Sequence, residues 1–151
     1  MNEFKTINDI LDFAIVSEQE AVDFYTKLSK KATNEAMKEV FLQFAKEEMG
    51  HKARLTKIKE KQLFEFKEEK VTDLKIADYL VESEAKPDMT YQDFLIVAMN
   101  KEKAAFKLYS DLAKIAPNNE LRDIFLSLAQ EEAKHKLRFE IEYDDYVLKE
   151  N

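Results

Sequence analysis

The chain contains an internal duplication, and this feature constrains the fold more than any other. Shifted by 84 positions, residues 6–55 align with residues 90–139 without a gap. The identical pairs include Thr6 with Thr90, Asp9 with Asp93, Glu18 with Glu102, Tyr25 with Tyr109, Glu48 with Glu132, and His51 with His135. A period this long that occurs only twice is typical of a duplicated supersecondary unit and not of a solenoid.

Each copy has the pattern of two helices joined by a short turn. Thr6 and Thr90 are favourable N-caps, and each precedes an aspartate by three positions in a variant of the capping box. Asn34 and Asn118 are suited to cap the second helix of their copies. Apolar residues recur at helical spacing along the first helix: Leu11, Ala14, Ile15, Ala21, Val22, Tyr25 and Leu28. Each copy is therefore predicted to form a helical hairpin.

The segment between the copies is expected to be a crossover. The apolar pattern predicts that the second helix continues to about Glu69. Residues 71–89 would then connect the hairpins, with a short helix at 76–83 and Pro87 closing the segment. Two long hairpins joined by one long crossover predict an all-α four-helix bundle of ferritin-like connectivity, in one domain over residues 1–151.

Composition supports this interpretation and excludes several function classes. One glycine in 151 residues argues against sandwiches, barrels and Gly-rich phosphate loops, and the absence of cysteine excludes disulfides and thiolate metal sites. A net charge of −7 without a basic block predicts no nucleic-acid partner. The chain has no apolar run of about 18 residues and no signal-like start, so we expect no membrane association and a cytoplasmic location.

Acidic residues interrupt the apolar stripes at matching positions. Glu18 lies four positions after Ala14 and seven before Tyr25, at the centre of the first stripe. Glu48 lies in the middle of the second stripe, and His51 follows it one helical turn along the same face. The duplication is therefore expected to place four carboxylates and two imidazoles in one layer of the bundle: Glu18, Glu48, His51, Glu102, Glu132 and His135.

Neighbouring acidic residues fall outside this register. Glu47 and Glu131 are duplicated as well, but they follow the flank of their helices, so we expect them at the rim of the layer or as partners of its ligands. Glu20 is matched by Ala104, and a symmetric site does not require it.

Two metal ions would account for the buried charge. Buried carboxylates cost several kcal/mol each when unpaired, and two divalent ions balance four of them. One Glu from each of two helices, with Glu-x-x-His from each of the other two, is the pattern of di-iron and di-manganese carboxylate proteins. Oxygen and imidazole ligands without thiolates suit iron, with manganese as the alternative. Glu48 and Glu132 are expected to bridge the metals, and Glu18 and Glu102 to be terminal ligands.

Two further residue types accompany the candidate ligands in the sequence. Tyr25 and Tyr109 lie two helical turns beyond the stripe glutamate of their own copy, where a buried phenol could donate to a ligand carboxylate and orient the site. The alternative is that both are ordinary core tyrosines. Met49 stands where bacterioferritins carry a haem-ligating methionine, but the second copy has Ala133 there, so haem is not expected.

The sequence resembles the rubrerythrin branch of the ferritin-like di-iron superfamily over about residues 6–139. The resemblance is carried by Glu18, the segment Glu47-Glu48-Met49-Gly50-His51, the segment Lys101-Glu102-Lys103-Ala104 with Tyr109, and Glu131-Glu132-Ala133-Lys134-His135. It implies a binuclear iron site that reacts with peroxide or dioxygen, a homodimer or larger oligomer, and a cytoplasmic setting.

The chain departs from typical rubrerythrins at two places. It has no cysteine and hence no rubredoxin-like module, so an external electron donor, either a rubredoxin-like protein or a small molecule, is expected. Ala105 stands where typical rubrerythrins have an extra ligand glutamate, which leaves a symmetric set of four Glu and two His.

Three functions are compatible with these patterns. The leading hypothesis is a non-haem di-iron redox protein that reduces hydrogen peroxide or dioxygen. The second is a ferroxidase that stores or delivers iron. The third is a non-enzymatic metal-binding or structural bundle, in which the histidines are satisfied core residues or the site has lost its metal.

Overall fold

The computed structural model describes residues 4–61, 71, 74–81, 86 and 88–150. The described part of the chain contains four α-helices and no β-strand. We label the helices α1 (Ile7–Lys31), α2 (Glu35–Lys61), α3 (Tyr91–Ile115) and α4 (Asn119–Glu150). The fold is the predicted all-α bundle of two hairpins joined by a crossover.

The helices begin where the sequence predicts. Thr6 and Thr90 accept hydrogen bonds from the backbone N–H three residues ahead, at 3.2 and 3.1 Å, and both capping boxes are complete. Asn34 and Asn118 likewise accept from the backbone N–H three residues ahead, each at 2.9 Å. These contacts satisfy N–H groups that the first turn of a helix leaves without a partner, so the predicted caps are confirmed.

The bundle core consists of two apolar clusters. Within each hairpin the two helices pack along their length, and α1 also contacts α3 between the hairpins. One cluster contains Leu11, Ala14, Leu55, Leu108 and Phe125, and the other contains Ala21, Phe41, Ala45, Leu95 and Phe139. Each helix contributes to both clusters, and its stripe glutamate lies in sequence between the two contributions. The acidic layer therefore separates the two halves of the core.

The crossover packs along α3. The Tyr79 ring is buried, its hydroxyl donates to Asp111 Oδ2 at 2.8 Å, and Lys107 Nζ lies 5.5 Å from the ring centroid. The predicted short helix at 76–83 is wrong for the described residues 76–81, where a 3-10 turn forms at Ile76–Asp78 and residues 80 and 81 are not helical; residues 82 and 83 lie outside the described part of the chain. A 3-10 turn places side chains three apart on the same side, so Ile76 and Tyr79 can both be buried.

Some predicted features lie outside the described residues, and one aromatic residue lies in the core. The predicted extension of α2 to Glu69 and the closing Pro87 fall outside the described residues. Phe24 lies off the ligand stripe in the sequence, where an aromatic side chain could serve a dimer interface, but it is 2% exposed and packs on Phe94 at a centroid distance of 5.1 Å, so it belongs to the core of this chain. None of the described helices is long and apolar enough to cross a membrane.

Candidate metal centre

One layer of the bundle brings together all six residues singled out from the sequence. Each lies on the core-facing stripe of its helix, Glu18 on α1, Glu102 on α3, and one Glu-x-x-His pair on each of α2 and α4. All six side chains are buried, with exposed fractions of 0–2%: Glu18, Glu48, His51, Glu102, Glu132 and His135.

The six residues form two overlapping groups. In each group four ligand atoms lie within 4.8 Å of one another. Glu48 and Glu132 belong to both groups. Glu18 and His51 complete the first group, and Glu102 and His135 complete the second. The geometry is that of two adjacent cation positions that share two carboxylates.

Both histidines are held in the same orientation. Their Nδ1 atoms face the layer, 3.1–3.6 Å from oxygens of the buried glutamates. On the other side of each ring, His51 Nε2 lies 3.2 Å from Glu131 Oε1 and His135 Nε2 lies 2.9 Å from Glu47 Oε1. Because an ionised carboxylate only accepts hydrogen bonds, Glu131 and Glu47 hold the proton of a neutral imidazole ring on Nε2, and in that form the Nδ1 lone pair is directed at the layer.

The donor atoms of the layer fit metal ions. Both Nδ1 atoms and at least one oxygen of every glutamate in the layer are buried without a hydrogen-bond partner. Buried polar atoms are nearly always satisfied, because leaving them unpaired is costly. A set of carboxylate oxygens and neutral imidazole nitrogens matches the preference of iron and manganese, and two divalent ions would neutralise the four carboxylates.

Burial and mutual repulsion shift the pKa values of the ionisable groups in the metal-free layer. Burial raises the pKa values of Glu48 and Glu132 well above the usual range, and the charges of the other glutamates raise them further. Burial opposes protonation of His51, but its contacts with Glu18 and the charge of Glu48 outweigh burial and raise its pKa to about 9. Without metal, the layer therefore retains protons that a bound cation would displace.

The two tyrosines link the hairpins through this layer. Tyr25 donates to Glu102 Oε1, and Tyr109 donates to Glu18 Oε1 at 3.0 Å. Each phenol thus bonds the glutamate of the other copy and not the one on its own helix. Both hydroxyls are buried, and burial together with the nearby carboxylates raises their pKa values. The phenols therefore remain protonated and hold the terminal carboxylates in place.

A small cavity gives access to the carboxylates. Its volume is about 90 Å³, and its lining includes all four glutamates of the layer, Ala21 and Ala105 from α1 and α3, and residues 79–81 of the crossover. A cavity needs roughly 10–15 Å³ of probe-occupied volume to hold one water, so small molecules fit beside the carboxylates. Met49 is 57% exposed, whereas Glu48 beside it is buried.

Some features of the site have no signal in the sequence pattern. Lys101 and its repeat counterpart Ser17 both line the cavity, but the pattern marks neither as a site residue, because a lysine on a highly charged helix looks like a solvated side chain. Glu47 and Glu131 were placed near the ligands, but their pairing with the histidine of the other hairpin depends on how the hairpins dock. Glu20 also lines the cavity, although a symmetric metal set does not require it.

The bundle and its duplicated Glu and Glu-x-x-His set match the pattern of ferritin-like carboxylate proteins that hold two iron or two manganese ions. A rubrerythrin family model matches residues 9–89 and 93–151, and the chain belongs to the rubrerythrin family. No match was found among curated proteins.

Two solved structures share the fold. One is a protein from Thermotoga maritima, provisionally described as ferritin-like and diiron-carboxylate, with 23% identity, a TM-score of 0.75, and coverage of 97% of this chain and 99% of that one. The other is a hypothetical protein from Pyrococcus furiosus, with 24% identity, a TM-score of 0.69, and coverage of 89% and 86%.

Proposed function

We propose that the chain is a non-haem di-iron redox protein that reduces hydrogen peroxide or dioxygen. The observation that carries this proposal is the pair of overlapping ligand groups that share Glu48 and Glu132. One iron would bind Glu18 and His51, the other would bind Glu102 and His135, and the two shared carboxylates would bridge them. Manganese satisfies the same donor set and is the alternative metal.

Bound iron would supply the electron-transfer chemistry, since two Fe(II) ions that become Fe(III) release the two electrons needed to reduce one peroxide to two waters with two protons. The chain's own residues keep the site accessible and ordered. The cavity of about 90 Å³ has room for a molecule the size of peroxide or dioxygen beside the carboxylates. Tyr25 and Tyr109 fix the terminal carboxylates, while Glu47 and Glu131 fix the histidine rings.

The electrons must come from outside this chain. The sequence has no cysteine and therefore no iron–sulfur centre or dithiol of its own. A rubredoxin-like protein or a small reductant is the donor class that we propose. The homodimer and the cytoplasmic location expected from the sequence remain predictions.

The test is a single-turnover experiment. The metal-free protein is loaded anaerobically with Fe(II) and mixed with peroxide or air, and oxidation is followed by absorbance and Mössbauer spectroscopy. We expect two irons per chain and rapid oxidation of both, with iron binding lost in Glu48→Ala and Glu132→Ala. Loaded protein that stays ferrous after peroxide and air would contradict the proposal. Continued uptake of iron beyond two ions per chain would favour the storage function instead.

A further inference from the structure

The two histidines both face a glutamate on their outer side, but these two glutamates have partners of different charge. Glu131, which accepts from His51, also receives a hydrogen bond from Arg54 Nη2 to its Oε2 at 3.0 Å. Glu47, which accepts from His135, instead receives a bond from the neutral Gln43 Nε2 at 3.1 Å. His51 therefore contacts a carboxylate that is paired with a cation, whereas His135 contacts a carboxylate that is paired with a neutral amide.

The duplication does not restore symmetry at these positions. Arg138 is the repeat counterpart of Arg54, but its Nη2 contacts Met37 Sδ at 3.0 Å. Ser127 is the counterpart of Gln43 and lies 3.5 Å from Glu131. The inner set of ligands is thus nearly symmetric, while the layer directly behind the histidines is not.

This difference reaches the metal positions through the imidazole rings. A carboxylate that accepts a hydrogen bond from one ring nitrogen increases the basicity of the other, and thereby strengthens it as a ligand. A cation that pairs with that carboxylate withdraws part of this effect. The shorter distance, 2.9 Å for His135 to Glu47 against 3.2 Å for His51 to Glu131, agrees in direction.

We infer that Arg54 is a positioning residue that makes the two metal positions unequal. The position formed by Glu102 and His135 binds a divalent ion more tightly than the position formed by Glu18 and His51. This inference rests on the proposed two-metal function. Arg54 acts through Glu131 and does not touch the metal.

The expected size of the effect is moderate. The side chains of Arg54 and Glu131 are 44% and 29% exposed, so solvent screens their charges in part. Substitution of partners behind a metal ligand commonly changes affinity by about 10–100-fold. We therefore expect removal of the Arg54 charge to tighten the weaker position by about tenfold.

The test is calorimetric titration of the metal-free full-length protein with Mn(II). Unsubstituted protein is expected to bind two ions in separate steps. Two close cations repel each other, so two binding steps alone do not prove that the positions are unequal. The diagnostic is how substitution of Arg54 changes the affinity of each step. Arg54→Gln should tighten the weak step about tenfold and leave the tight step nearly unchanged. Arg54→Lys, which keeps the charge, should restore the wild-type separation.

The repeat supplies the matched control. Arg138→Gln removes the equivalent arginine and is expected to leave both steps unchanged, while circular dichroism confirms that each variant is folded. A separate Glu18→Gln variant should lose the weak step, and Glu102→Gln the tight one. The inference is overturned if Arg54→Gln titrates like the unsubstituted protein, or if Arg138→Gln produces the same change. Absence of Mn(II) and Fe(II) binding by the unsubstituted protein would overturn the proposed function itself.

Discussion

Glu47 and Glu48 are adjacent on α2, and the fold assigns them different roles. A rotation of about 100° per residue separates them around the helix. Glu48 is 1% exposed and belongs to both ligand groups, whereas the side chain of Glu47 is 35% exposed and supports His135 from behind. Helical register, not residue type, therefore decides which carboxylate faces the metal layer.

Glu48→Gln is expected to stabilise the metal-free protein. Burial and the neighbouring glutamates raise the pKa of Glu48, so the fold must hold a proton there that the unfolded chain releases above pH ~4.5. The neutral amide removes this cost, and we expect a gain of about 1–4 kcal/mol near pH 7. Urea denaturation measures it, and the gain should shrink as the pH falls towards 4.5.

The same variant should bind metal poorly at both positions, because Glu48 is shared by the two groups. Glu140→Gln is the control. Its side chain is 43% exposed and pairs with Lys136, so its stability should change by less than about 0.5 kcal/mol. A metal-free Glu48→Gln protein that is less stable than the unsubstituted protein at pH 7 would show that Glu48 contributes favourable contacts that outweigh its burial.

At the scale of the elements, the sequence predicts the helix caps and hairpins, which depend on local patterns, but not the contacts that depend on how the two hairpins pack together. The caps at Thr6 and Asn34 are encoded within a few residues, and the duplication repeats them, so the hairpins and the six-residue layer were predictable. A 3-10 turn forms at Ile76–Asp78 in place of the predicted short helix, and it accompanies the burial of Ile76 and Tyr79, which a local sequence pattern does not encode. The bond between Glu47 and His135 joins residues 88 positions apart, which no local pattern encodes.

Tyr79→Phe tests how the crossover is attached to α3. The variant keeps the buried ring but loses the bond to Asp111, so we expect a loss of about 1 kcal/mol in stability. Amide protons in residues 74–81 should exchange faster, because opening this segment costs less. Hydrogen exchange with mass spectrometry measures the change.

Lys114→Gln provides the comparison for that variant. The Lys114 side chain is 79% exposed, and its Nζ lies 3.9 Å from Asp111 Oδ1. Removal of this exposed charge should therefore leave amide exchange in residues 74–81 unchanged. Equal protection in Tyr79→Phe and the unsubstituted protein would mean that the buried ring alone holds the crossover in place.

On the scale of the whole molecule, two apolar halves are separated by a layer of confined charge. The apolar clusters supply the stability of the bundle, while the layer between them opposes folding whenever its carboxylates ionise without a cation. A metal that binds only the folded state offsets this cost by mass action. The site and the fold are therefore thermodynamically coupled, and removal of metal should be visible as a change in global stability.

This coupling has a definite pH dependence in the metal-free protein. His51 has a pKa of about 9 in the folded protein, above the 6.5 of an ordinary histidine. Its contribution to the free energy of unfolding is therefore fully present below pH 6.5 and is lost as the pH rises through 9. The raised pKa values of Glu48 and Glu132 act with the same sign, because the unfolded carboxylates have already ionised. Other side-chain types mostly do not titrate in this window. The shift of His51 alone corresponds to about 3 kcal/mol, so we expect the metal-free protein to lose at least this much stability between pH 6.5 and 9.

Saturation with Mn(II) should remove or reverse this trend. The ion takes the place of protons on the ligands, so its affinity rises with pH and its stabilisation grows as the metal-free fold weakens. Scanning calorimetry at pH 6.5, 8 and 9 should show the melting temperatures of the two forms diverging. Glu132→Ala, which lacks a shared ligand, should show little response to Mn(II) at any pH. A metal-free melting temperature that rises between pH 6.5 and 9 would contradict the charge balance described for the layer. Deprotonation of a histidine beside buried carboxylates removes a favourable charge interaction and can only destabilise the folded protein.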